Sequence, residues 1–576
     1  MKERGSASQK LSALIISIIS ILVASSILGF YLGRTYFIIS ILALPFGYFV
    51  IATIRESRKN KLLTSLRKRW GVSETCEADS AESSKYFRKA AAIRESKCVV
   101  DDRTWADLDM GLIYSRLNQT LTIPGEQVLY ALLRTPAFSR KPLEERSEVI
   151  KFFINDQEKR ERLQIVLSKL SKSEGKFVVD LLWDERPARN KLAFLYPWIL
   201  LLIPVFVILG LSGELLGWVG LVALSLGNAA IHYRTKRKFS EDLPSLRYLG
   251  RMVKCASRLS RLQDLPLETY MTQLRSALDK VSGIVPKMDL LSMGENNPLY
   301  EYLNILFLIE VRAFDSYLRL MDKYVNQLRD VFGTIGFLDA MVAAASYKVG
   351  LIESVEPELT DSTPSLDIEN VAHPLLEKPV QNSVSLRTGG MLVTGSNMSG
   401  KTTFLKTIGV NVLFAQTLHF CLAREFSSSF FNTLTLIGRQ DNIIEGRSYY
   451  LDEILTLLRI IQASRQDVPC LCIIDELFRG TNSVERVSAS AAVLLYLAKG
   501  NGLVFASTHD LELTRLIADA YVNYHFQEEI GEHGLIFNYK LREGPSETRN
   551  AIKLLRYVGY PERITAAAEQ RIRENK

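Results

Sequence analysis

The sequence predicts a composite fold: an α/β domain at the C-terminal end, an all-helical module before it, and two transmembrane helical hairpins. Three observations predict it. Four long apolar runs lie in two pairs, helical apolar spacing fills most of the chain between residues 104 and 347, and short β-rich runs alternate with helices after Gly350. At 576 residues the chain is long enough for three or four folded units.

The first pair of apolar runs is Leu11–Leu32 and Tyr36–Ile54, each close to the ~20 residues that cross a bilayer as a helix. Only Gly33, Arg34 and Thr35 separate them, which predicts a tight hairpin. A cleaved secretory signal is the competing reading. The run is long, lacks an A-x-A pattern and is followed at once by a second run, so a retained anchor is expected.

The second pair is Leu192–Leu211 and Leu215–Ile231, joined by Ser212, Gly213 and Glu214. A buried apolar hairpin is the plain alternative. Arg186, Arg189 and Lys191 precede the pair, Arg234, Lys236, Arg237 and Lys238 follow it, and the connecting loop has neither lysine nor arginine. By the positive-inside rule both hairpins keep their outer ends in the cytoplasm. The expectation is therefore a multi-pass protein of the inner (plasma) membrane, held in the bilayer by four helices, with its other parts cytoplasmic.

The overall balance adds little. The net charge of +8 and pI near 8.9 come largely from "RESRKNKLLTSLRKRW", residues 55–70, so the basic excess is local and weak evidence for nucleic acid. A mean hydropathy of +0.06 beside 23% charged residues fits greasy segments set into a water-soluble chain. The six cysteines form no C-x-x-C pair, which fits a reducing compartment.

Taken in order, the units are residues 1–72, the first hairpin with its basic flank; 73–99, a polar linker; 100–190, helical; 191–234, the second hairpin; 235–350, helical again; and 351–576, α/β. In the second helical part Arg251, Lys254, Arg258 and Arg261 fall three or four apart, hence on one face. A solvated face is the preferred account, and contact with phosphate backbone or anionic lipid is the sharper alternative.

The α/β part carries the chemistry. Gly395, Ser396, Asn397, Met398, Ser399, Gly400, Lys401 and Thr402 satisfy G-x-x-x-x-G-K-[ST], after the apolar run "GMLVT" and before a helix, and Thr403 is counted with them as nucleotide-binding. Backbone N–H groups of such a loop wrap the phosphates of ATP. Lys401 adds charge at the β/γ-phosphates and Thr402 offers a hydroxyl to Mg²⁺. Further on, "CLCIIDE" ends in two carboxylates: Asp475 is suited to the Mg²⁺ shell and Glu476 to orienting or deprotonating the attacking water. "GLVFASTHD" ends in His509, able to sense or polarise the γ-phosphate from a strand tip, although a lone histidine is commonly structural.

These motifs together resemble the ATPase domain of the MutS family of DNA mismatch-repair proteins, from about residue 350 to 576. The segment N-M-S-G-K-T-T at 397–403 is more specific than a generic phosphate loop, and "GRSYYLDE", "DELFRGTNS" and the tail "SETRNAIKLLRYVGYPERI" are similar to further segments of that family. The helical region from "DDRTWADLDMGLIYSRLNQT" onward resembles the family's core and lever. The implied fold is an α/β P-loop NTPase of the ABC/MutS type with a helical core.

The resemblance also implies a homodimer with two composite ATP sites. Ser448 would then reach the partner's γ-phosphate, Arg447 and Glu453 would belong to the same segment, and Arg479, Gly480 and Thr481 would couple the two sites. DNA is the implied partner. The sequence departs from the family in having no G-x-F-x-E wedge for reading mispairs. It has Pro379 and Val380 near the place of an adenine-stacking phenylalanine, and His373 there is read as structural. Competing readings are an ABC-type transport ATPase, disfavoured by the absence of an LSGGQ-type segment; an ATPase acting on a non-DNA partner; and a scaffold with a dead site, disfavoured by the intact Lys401, Thr402, Asp475 and Glu476.

Overall fold

The computed structural model describes residues 30–574 except 32–36, 73–74, 76–79, 92–97, 171, 173–174, 176, 185–192, 240–242, 263–267, 285, 287–297, 362, 397–398, 439–448, 479–480, 532–533, 547–554 and 557. It falls into two compact units, residues 1–70 and 71–576.

In the first unit α1 (Phe37–Arg69) is one continuous 33-residue helix. Arg67, Lys68 and Arg69 sit in its last turn, where cations oppose the negative end of the helix dipole.

The second unit opens with seven helices: α2 (Ser80–Ala91), α3 (Asp102–Asp107), α4 (Met110–Leu117), α5 (Ile123–Arg134), α6 (Arg140–Asn155), α7 (Gln157–Leu167) and α8 (Val178–Trp183). The apolar hairpin α9 (Tyr196–Leu211) and α10 (Leu215–Phe239) follows, then α11 (Leu243–Leu259), α12 (Glu268–Val281), α13 (Pro298–Phe307) and α14 (Ile309–Val349). At 41 residues α14 is about 60 Å long, and it kinks at Tyr324, whose φ of −125° is not helical.

Asp339 on α14 is fully buried and fixes the entry to α5. Its carboxylate accepts from Thr122 N at 2.8 Å, Thr122 Oγ1 at 2.7 Å and Leu121 N at 3.0 Å. Burial raises its pKa against those bonds. The cap and the close fit of Gly336 against the Pro124 carbonyl lock α5 onto α14.

Among the described residues two helices, not four, are long and apolar enough to cross a membrane: Ala193–Leu211 and Leu215–Arg237. These two helices form the second of the two expected hairpins. Almost all of the first run, 11–32, lies outside the described residues. The second run, 36–54, continues without a break into the cationic half of α1. In the hairpin 192–231, α9 and α10 touch through glycine: a Cβ on Gly217 would lie 2.1 Å from the Gly210 nitrogen. Their outer faces are exposed and apolar, with Trp198, Ile208, Leu211, Leu215 and Leu216 all more than 60% accessible. The base is anchored in protein, where Ala193 and Tyr196 pack on Leu308 and Val311 and Asn228 Nδ2 donates to Leu306 O at 2.7 Å.

After Gly350 come β1 (Glu358–Thr360), β2 (Leu366–Val371), β3 (Asn382–Leu386), β4 (Gly390–Thr394), α15 (Lys401–Thr417), β5 (Glu425–Ser429), β6 (Asn432–Leu436), α16 (Tyr449–Ala463), β7 (Cys470–Asp475), α17 (Ser483–Ala498), β8 (Gly502–Thr508), α18 (Leu511–Leu516), β9 (Tyr521–Gly531), β10 (Gly534–Glu543) and α19 (Glu562–Glu574). They build a four-stranded sheet, β1-β5-β2-β3, and a six-stranded sheet, β10-β9-β4-β8-β7-β6. In the larger sheet every pairing is parallel except that of β9 with β10. Strands β4 and β7 are buried along their whole length, as near-continuous apolar runs between helices require.

The short α3 joins the helical module to this sheet. Asp107 accepts from Thr435 Oγ1 at 2.8 Å and Ile437 N at 3.0 Å, and Asp109 pairs with Lys406 on α15 at 2.6 Å. Arg103 meets Asp452 of α16 at 2.5 Å.

Candidate nucleotide-binding site

Register brings the motifs together. In the parallel sheet Thr394 lies beside Thr508 and Asp475 beside Ser507, so β4, β8 and β7 end at one edge and the residues that follow them share it. That edge, beyond the carboxyl ends of the strands, is where open α/β sheets bind ligands.

The loop from β4 to α15 needs its glycines. Gly395 has φ +142°, and a Cβ there would lie 2.8 Å from Phe526 O and 2.9 Å from Ser399 Oγ. Gly400, at φ +105°, opens α15, whose N-terminus faces the loop. Asn397 and Met398 lie outside the described residues. Buried Lys401 donates from Nζ to Gly395 O at 2.8 Å and Ser396 O at 2.9 Å, which holds its ammonium inside the loop. The buried hydroxyl of Ser399 has no partner among the described residues.

A phosphate fits this cradle. It would satisfy the orphan hydroxyl, meet an ammonium and lie at a helix N-terminus whose dipole favours anions. Thr402 Oγ1 donates to Asp475 Oδ2 at 2.8 Å, and Ser507 Oγ donates to Asp475 Oδ1. A hydroxyl and a carboxylate side by side are hard oxygen donors of the kind Mg²⁺ takes together with substrate phosphates. Thr403 lines the same cleft.

The turn after β7 is strained. Glu476 and Phe478 have φ of +54° and +57°, the left-handed region that few non-glycine residues enter. Three contacts hold it. Glu476 N donates to Ser507 O at 3.2 Å, the Glu476 carboxylate meets His509 Nε2, and Phe478 N donates to buried Glu453 at 2.5 Å. Glu453 thus ties the "GRSYYLDE" segment to the carboxylate turn. Arg447, Ser448, Arg479 and Gly480 lie outside the described residues. Thr481 Oγ1 donates to Glu485 Oε2 at 2.9 Å, and Asn482 caps α17 through Glu485 N at 3.0 Å.

The cleft beside the loop holds about 480 Å³ and is walled by Pro379, Val380, His373 and, from the far hairpin, Tyr539. Tyr539 has no local signal in the sequence. The β9–β10 register shifts between Phe537 and Leu541, Tyr539 takes φ +50°, and Asn382 clamps both sides of it, donating to Tyr539 O at 3.0 Å and accepting from Leu541 N at 2.8 Å. Such a bulge re-aims a side chain, and the ring comes 3.1 Å from where a Cβ on Gly400 would stand. His373 accepts from Leu375 N at 3.2 Å through Nδ1. Burial lowers its pKa from 6.5 to about 4, so the imidazole is neutral.

Residues 391–576 match the family model described as MutS domain V. Relatives named DNA mismatch repair protein MutS include that of Thermus aquaticus, 26% identical over 497 residues, covering 79% of this chain and 60% of that protein. That of Thermotoga maritima is 25% identical over 516 residues, covering 80% and 63%. That of Petrotoga mobilis is 27% identical over 279 residues, covering 46% and 33%. The chain therefore spans less than two thirds of the length of these relatives.

Proposed function

We propose that this chain, which belongs to the MutS family, binds and hydrolyses ATP and uses the cycle to clamp and release an elongated partner, DNA in the first instance. One observation carries the catalytic half: Lys401, the Thr402–Asp475 pair and the Glu476–His509 pair converge at one sheet edge around an orphaned loop hydroxyl.

In this reading the loop N–H groups, Ser399 and Lys401 bind the phosphates. Thr402 and Asp475 would hold Mg²⁺, which would supply positive charge against the phosphate oxygens. Glu476 orients the attacking water and accepts its proton, and His509 fixes the carboxylate in place. Water attacks the γ-phosphorus, the bond to the β-phosphate oxygen breaks, and ADP and phosphate leave. Ser448 completes the γ-phosphate site of a second copy, making the dimer the working unit. Tyr539 stacks on the base across the cleft from Val380.

DNA enters through the relatives, whose names state mismatch repair. The exposed apolar faces of α9 and α10, with Arg234, Lys236 and Arg237 at their base, support anchoring of the engine in a bilayer. A non-DNA partner at that surface is the second reading, favoured by the same hairpin. The deciding experiment is ATP turnover by detergent-solubilised protein with homoduplex, mismatched and branched DNA. A rate that responds to DNA supports the clamp, and a robust rate indifferent to every DNA assigns the engine to another partner.

A further inference from the structure

We infer that Arg486 is a positioning residue for the water-activating pair, holding His509 against Glu476 through Asp510; this rests on the ATPase reading above. Arg486 lies in the first turns of α17, just past the strained carboxylate turn, with its N–H bonded to Asn482 O at 2.9 Å. Its guanidinium grips Asp510 with two parallel bonds, Nε to Oδ2 at 2.8 Å and Nη2 to Oδ1 at 2.9 Å. A planar fork of this kind fixes direction as well as distance, which a single lysine bond would not.

Asp510 is the residue after His509, and it is tied down again by its own N–H, which donates to Thr508 Oγ1 at 3.0 Å. Thr508 is the buried last residue of β8. His509 is therefore strung between two fixed neighbours, and its imidazole meets the Glu476 carboxylate. That carboxylate stands on a residue in the left-handed region of backbone space.

Both side chains of the Arg486–Asp510 pair are only about a quarter exposed, which limits screening by solvent. The Arg486 charge is stabilised first by its bond to Asp510 and also by attraction from Glu476, so one cation serves both acids. None of these contacts involves Lys401, Thr402 or Asp475. Loss of the fork should disturb chemistry and leave nucleotide binding alone.

The test measures turnover and nucleotide affinity together on the solubilised full chain. Arg486→Ala and Asp510→Asn are each expected to lower kcat on the order of a hundredfold, the cost of a misplaced catalytic group, with the affinity for a fluorescent ATP analogue unchanged. Arg486→Lys is expected to recover only part of the rate. The swap Arg486→Asp with Asp510→Arg is expected to exceed either single reversal. In a His509→Ala background, Arg486→Ala is expected to cost nothing more, because the group it positions is gone.

A further fall in that background, a parallel loss of affinity, or an unchanged kcat in Arg486→Ala would each assign the pair to stability alone. Thermal unfolding of Asp510→Asn, nearly isosteric, separates misplacement from misfolding. Wild-type protein without turnover would overturn the ATPase reading itself, whereas active wild type with an indifferent Arg486→Ala overturns only this role.

Discussion

Replacing Gly395 by alanine tests the phosphate loop at its least forgiving point. The new methyl meets Phe526 O at 2.8 Å and Ser399 Oγ at 2.9 Å, and φ at +142° is a conformation that side chains rarely adopt. The hydroxyl can turn away. The carbonyl cannot, because Phe526 belongs to β9, whose neighbour His525 pairs with Thr394. Backbone strain of this type costs about 1–3 kcal/mol, and the loop can relieve it only by opening where phosphate binds. If the strain is charged to binding, affinity falls between about fivefold and 150-fold. Titration with a fluorescent ATP analogue reads that loss directly. Gly544→Ala is the control: its φ of +87° is also left-handed, but nothing lies within 4 Å of the added methyl. It should cost stability and leave affinity unchanged. Equal affinity in wild type and Gly395→Ala would mean that the loop has room the contact distances deny it, and that Gly395 does not shape the phosphate site.

Tyr539→Ala removes the ring that faces the loop and should weaken ATP binding by about 1–2 kcal/mol, the order of an aromatic stack, while Tyr539→Phe stays near wild type in the same titration. His373 gives a pH prediction. Its pKa drops from 6.5 to about 4 on folding, so between those values the unfolded chain binds a proton that the native chain refuses. Stability is therefore full above pH 6.5 and falls by up to about 1.4 kcal/mol per pH unit as pH drops toward 4. Denaturant unfolding of wild type and His373→Gln at pH 7 and pH 5 should show the variant losing less, and equal losses would exclude the linkage.

Legibility in the sequence followed the range of the signal. The phosphate loop, Asp475, Glu476 and His509 were readable because each closes a short apolar strand, and parallel register does the rest. Tyr539 and Asn382 were not, because a bulge in one hairpin and a strand end far upstream create their pairing. The Arg486–Asp510 fork was hidden for a similar reason: two ordinary charges become a device only once α17 and the tip of β8 are neighbours. Helix ends were less legible: α1 and α10 each run from an apolar stretch into cations without a break. Apolar length alone does not mark where such a helix stops.

Under the proposed function this sheet edge hydrolyses ATP with Glu476 as the water-activating carboxylate. The most direct measurement is phosphate release by wild type, Glu476→Ala and Lys401→Ala, with nucleotide binding measured on the same samples. Turnover is expected in wild type, with a loss of about 10²- to 10⁴-fold in Glu476→Ala with ATP still bound, and loss of binding in Lys401→Ala. Turnover that survives Glu476→Ala would contradict the proposed role of Glu476.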